Sequence, residues 1–178
     1  MSPRMLTQTA LLLALALALH QVERLLPFSL LPYPGVKLGL GNLVTLLTLF
    51  LLRPYHALLF AVLRNLLTAW FAGLSGLVFA LTGALLAFAV MSLLAWSIPR
   101  DISLPALSAA GAITHNIGQL IVAAWLSQTP AIFSYLPVLC ISGTLSGVAI
   151  GLAARFLLRA MKDSKRYSLH EHLLPLLD

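Results

Sequence analysis

What most restricts the fold of this chain is a succession of apolar runs, at residues 6–26, 38–52, 55–72, 77–98, 104–126 and 131–158, joined by short connections. A helix needs about 20 predominantly apolar residues to cross the hydrocarbon core of a bilayer, and runs of this kind read as transmembrane spans. Only 9% of the 178 residues are charged and the mean hydropathy is +0.98, whereas a soluble domain carries about 25% charged residues. The reading is an all-α integral membrane protein, a compact bundle of six transmembrane helices over residues 1–161, with a polar tail over 162–178. No stretch is left over for a soluble catalytic domain.

The connections follow from proline and glycine. Residues 27–37 contain Pro27, Pro32 and Pro34 and cannot continue a regular helix. Arg53-Pro54 makes the next break, Gly73-Leu74-Ser75-Gly76 reads as a turn without charge, and Pro99-Arg100-Asp101 ends the fourth run. Pro137 is an expected kink in the sixth. The first run begins with alternating leucine and alanine that also suits a signal peptide, but further spans follow and a retained helix is the preferred reading. Ala10, Ala14 and Ala18 share one face of that helix, and Gly143, Gly147 and Gly151 share one face of the sixth. Small residues at four-residue spacing let two helices approach closely, although in an Ala/Leu-rich segment the first stripe can also arise by composition alone.

Basic residues set the orientation. With the N-terminus in the cytoplasm, Arg4, Arg53, Arg100, Arg155, Arg159, Lys162, Lys165 and Arg166 fall on that side, against Arg24 and Lys37 outside. Both termini are therefore expected in the cytoplasm. This distribution also accounts for the net charge of +6. Nucleic acid is not an expected partner, because the basic residues flank apolar runs and no aromatic-basic surface motif accompanies them.

Polar residues inside such segments are costly and ask for a function. The stretch Pro34 to Asn42 places Lys37, three glycines and Asn42 at the lip of the bilayer. Arg64-Asn65 lies near the middle of the third run, where a charge costs about 2.5–3.5 kcal/mol. Glu23, an anionic ligand group, or snorkelling of the arginine can each compensate it. In the fifth run, His115 and Gln119 share a helix face and Asn116 lies about 100° around. These groups both donate and accept hydrogen bonds, which suits either a polar ligand or an interhelical network. Lys37, Asn42, Arg64, Asn65, His115, Asn116 and Gln119 thus form the candidate substrate-binding set.

Catalytic signals are scarce. Glu23 and Asp101 are expected on opposite sides, and neither a phosphate-cradling G-x-x-x-x-G-K-[ST] loop nor an aspartate-rich magnesium motif occurs. The chain is expected not to be an enzyme and to hold no cofactor. A zinc site wants three or four ligands and only His115 lies near mid-span, so no metal is expected either. Cys140 is alone and excludes an internal disulfide.

Three elements in order, P-G-V-K-L-G-L-G-N at Pro34 to Asn42, Leu63-Arg64, and G-A-I-T-H-N-I-G-Q at Gly111 to Gln119, resemble the Gx transporter family, also labelled heptaprenyl diphosphate synthase component I. The resemblance covers about residues 8–160. That family is similar in architecture to the S components of energy-coupling factor transporters, which implies six helices, cytoplasmic termini and residence in the inner membrane of a bacterium. It also implies that Ala10, Ala14 and Ala18 dock on a transmembrane coupling subunit that works with an ATPase pair. The sequence expectation is then an importer subunit that captures a small, anionic or carboxylated molecule in a pocket open to the outer face. The family's other label leaves a second expectation, a non-catalytic membrane partner of a prenyl-diphosphate or quinone-pathway enzyme.

Overall fold

The computed structural model describes residues 3–25, 39–99, 101–164 and 169–177, and all regular structure among them is helical. Five α-helices run in order: α1 (Pro3–Leu25), α2 (Leu40–Leu51), α3 (Pro54–Ser97), α4 (Leu104–Ser127) and α5 (Leu136–Asp163). A 3₁₀ turn at Pro130–Tyr135 precedes α5, and another at Glu171–Leu177 follows it. Among the described residues, four stretches are long and apolar enough to cross a membrane: Met5–Leu25, Gly73–Ser97, Leu104–Ser127 and Pro130–Asp163. The chain is thus a multi-pass membrane protein by length and composition.

α2 is a shorter apolar helix of 12 residues, about 18 Å long. It survives because it is surrounded by protein. Eight of its residues, including Val44, Leu46, Leu47 and Phe50, are buried, and interrupted helices are tolerated at membrane depth when they are enclosed.

The expected turn at Gly73 to Gly76 is smaller than the sequence suggests. α3 departs from helical dihedrals only at Gly73, with φ 75° and ψ 178°, and then resumes. This region is essentially restricted to glycine. A straight helix of 44 residues would run about 66 Å, yet its two ends lie together. His170 meets the carbonyl of Leu52, just before α3, and the ring of Trp96 at its end, 6.1 Å away between centroids. α3 is therefore a helical hairpin whose arms, residues 54–72 and 73–97, return to the same end of the bundle.

Two further expectations change in detail. Pro137 does not kink a helix; it sits in the first turn of α5, where its missing N–H has no intrahelical partner to lose. The polar tail ends in an apolar plug. Leu173, Leu176 and Leu177 are buried in the core cluster with Phe50, Leu52, Leu104 and Leu158. His170 donates its backbone N–H to the Phe50 carbonyl at 3.0 Å. The guanidinium Nε atoms of Arg155 and Arg159 donate to the Leu177 carbonyl at 2.8 and 2.9 Å. The plug thereby satisfies carbonyls left open at the C-terminal end of α2. We call this the plug end of the bundle.

The α4–α5 seam carries the glycine stripe. A Cβ on Gly147 would lie 2.6 Å from the Ala109 Cα, and one on Gly151 would lie 3.0 Å from the Leu104 carbonyl oxygen. The α1 stripe behaves differently: Ala10, Ala14 and Ala18 are all exposed, while Ala16 faces inward and is fully buried.

Candidate functional site

The site begins with the break between α1 and α2. Glu23, near the end of α1, accepts hydrogen bonds from the backbone N–H groups of Gly39 at 2.5 Å and Leu40 at 3.1 Å. A carboxylate is favourable there because the first N–H groups of a helix have no intrahelical acceptor and carry the positive end of its dipole. The same carboxylate acts electrostatically on Arg64.

Arg64 is only 8% exposed, and its Nη1 donates to the Asn42 Oδ1 at 3.1 Å. Gly41 allows this approach, since a Cβ there would lie 3.1 Å from the same Nη1. The Arg64 Nε is buried with no protein acceptor among the described residues. An unsatisfied donor on a buried charge is expensive, so the site holds an unfilled demand for an acceptor. Asn65, 2% exposed, returns its amide to the Ala61 carbonyl at 2.7 Å, and Thr68 bonds back to the Asn65 carbonyl at 3.0 Å.

α4 supplies the facing wall. His115 lies against Gly83 of α3, where a Cβ would stand 2.9 Å from the imidazole Nδ1 and Cε1. Asn116 donates its amide to the Leu139 carbonyl of α5 at 2.9 Å and lies against Gly143. Glycine on both neighbouring helices thus makes room for the two polar side chains.

These walls enclose one cavity of about 130 Å³, room for on the order of ten waters. Asn42, Arg64, Asn65, His115, Asn116 and Gln119 all line it, so the structure brings six residues of the candidate set together. Lys37, the seventh, lies outside the described residues. The structure adds His20, Glu23, Thr45, Thr68, Ser108 and Ser146 to the lining. Glu23 was visible in the sequence as a counter-charge to Arg64. The hydroxyl residues carried no such signal, because a single Ser or Thr in an apolar run more often bonds back to its own helix. Among the described residues no group of three His, Cys, Asp or Glu side chains could hold a metal ion.

With a buried cation, amides and imidazoles on several helices, the arrangement can hold a small molecule that presents hydrogen-bond acceptors. The family whose model matches is described as heptaprenyl diphosphate synthase component I, and the match runs over residues 12–157. No curated protein and no solved structure matches the chain.

Proposed function

We propose that this chain, which belongs to the heptaprenyl diphosphate synthase component I family, is the substrate-binding membrane subunit of an energy-coupling-factor-type importer. It captures a small anionic or carboxylated molecule in the cavity between α1, α2, α3, α4 and α5. The observation that carries this reading is the buried Arg64, whose Nε has no acceptor among the described residues while its Nη1 is held by Asn42. Glu23 offsets part of that charge, while both of its oxygens accept from the N-terminal N–H groups of α2. A ligand carboxylate offers the planar acceptor pair that a guanidinium prefers.

Energy comes from other subunits. The exposed face of Ala10, Ala14 and Ala18 on α1 is proposed as the surface that docks a transmembrane coupling subunit and, through it, an ATPase pair. The positive-inside distribution supports cytoplasmic termini, and the resemblance to S components implies a multi-pass position in the inner membrane of a bacterium. The chain itself catalyses nothing and needs no cofactor.

The family's description supplies a second reading, a non-catalytic partner of a prenyl-diphosphate or quinone-pathway enzyme. The cavity, at about 130 Å³, falls far short of a heptaprenyl chain, so under this reading the contact with such an enzyme would be made elsewhere on the surface. Affinity purification from native membranes separates the two. Recovery of an ATPase pair, lost on Ala14→Leu with the fold intact, supports the importer. Recovery of a soluble prenyl synthase, insensitive to Ala14→Leu, overturns it.

A further inference from the structure

The two ends of the cavity differ in chemistry, and helix register gives the depth of each. Arg64 lies nine residues before the Gly73 bend and Gly83 ten after it, which places both roughly 14–15 Å from the bend. Gly83 faces His115, so Arg64, Asn42 and His115 form a polar collar at one level. Towards the plug end the lining changes. Leu46 lies one helical turn below Asn42, and Met91 lies two turns below Gly83, packed against Gly111. Ala87 and Ile150 complete this floor, and all four side chains are at least nine-tenths buried. The floor therefore lies about 6–12 Å deeper than the collar. Its polar groups are spoken for less by charge than by hydroxyls, Thr45 and Ser108.

Resting on the importer reading, we propose that the ligand is an amphipathic monoanion. Its carboxylate binds at the collar, on the Nε of Arg64, and its compact hydrocarbon body lies on the floor against Leu46, Ala87, Met91 and Ile150. Two physical points select this class. Arg64 is the one buried cation among the described residues, and it matches one negative charge better than several. A floor built mainly of Leu46, Ala87, Met91 and Ile150 gains free energy from hydrocarbon, and its two hydroxyls, Thr45 and Ser108, offer no charge to a second anionic group. Methionine at the base adapts its shape to the end of that body.

The test uses straight-chain monocarboxylates, acetate, butanoate, hexanoate and octanoate, titrated by ligand-observed NMR against the protein in phosphatidylcholine nanodiscs. Empty nanodiscs and the matching alcohols correct for partition into lipid. Affinity is expected to rise about fourfold per methylene until the floor is filled, and then to stop rising. Arg64→Gln removes saturable binding at every length. Ala87→Val moves the plateau to shorter acids and Met91→Ala moves it to longer ones; the two variants change volume in opposite directions, so misfolding of either leaves the other to decide. Binding that depends on Arg64 but is flat in chain length and indifferent to both floor variants overturns the amphipathic assignment while leaving anion capture in place. Failure of every acid to bind in an Arg64-dependent way overturns both.

Discussion

Replacing Gly147 by alanine sets two well-defined effects against each other. Alanine favours a helix over glycine by about 1 kcal/mol, so a stripe that recurs by chance predicts a more stable protein. The structure predicts the opposite. The added Cβ would lie 2.6 Å from the Ala109 Cα, 2.9 Å from the Ser108 carbonyl oxygen and 3.0 Å from the Ala109 nitrogen. Carbon atoms pack at about 3.5–4.0 Å, so α4 and α5 must separate by on the order of 1 Å. All three opposing atoms are backbone, which cannot swing aside. Overpacking of this kind costs about 1–3 kcal/mol, and with the propensity gain deducted a loss of up to about 2 kcal/mol remains. The assay is thermal unfolding of the detergent-purified protein, with Gly73→Ala as control. A Cβ at Gly73 meets nothing within 4 Å, but its φ of 75° strains any other residue. The control should lose about 1–3 kcal/mol without disturbing ligand affinity at the Asn116 wall. Gly147→Ala more stable than the parent, by the propensity gain of about 1 kcal/mol, would refute the close α4–α5 seam.

Two other substitutions test neighbouring parts of the account. Glu23→Gln keeps one acceptor for the α2 N-terminus but removes the charge, and should cost about 1 kcal/mol in the same unfolding assay; no change would mean that the carboxylate does not hold α1 to α2. Leu173→Ala opens a cavity at a position with no exposure and should cost about 2–5 kcal/mol, whereas Leu157→Ala, at a residue 39% exposed on α5, should be close to neutral. Equal effects of the two would show that the plug is not seated in the core.

The parts legible in the sequence are those governed by local rules. Pro54, read as a break, opens α3 as a first-turn proline should. The glycine stripe at 143, 147 and 151 carries its own spacing, and each member faces α4. Asn42, Arg64, His115, Asn116 and Gln119 were recognisable because each is costly in an apolar segment, and they line one cavity. What remained hidden depends on contacts between distant residues. Glu23 bonds to backbone N–H groups 16 and 17 residues on, and no side-chain pattern announces such a partner. The plug is a short L-L-P-L-L segment in a polar stretch, and its burial follows from the open end of α2 that it covers. Gly73 marked a break, but only the meeting of both α3 ends at His170 shows a hairpin made by one residue. The exposure of Ala10, Ala14 and Ala18 likewise could not be read from their spacing, which serves an internal seam or an outer face equally well.

On the proposed function, Arg64 is buried to hold an anion delivered by a ligand. Native mass spectrometry of the protein released from detergent tests it directly, comparing the parent with Arg64→Gln purified from the same cells. The account predicts a bound small molecule, ionising as an acid after release, that accompanies the parent chain and is absent from the variant. The same adduct on both proteins, or an adduct that is neutral or basic, would contradict it.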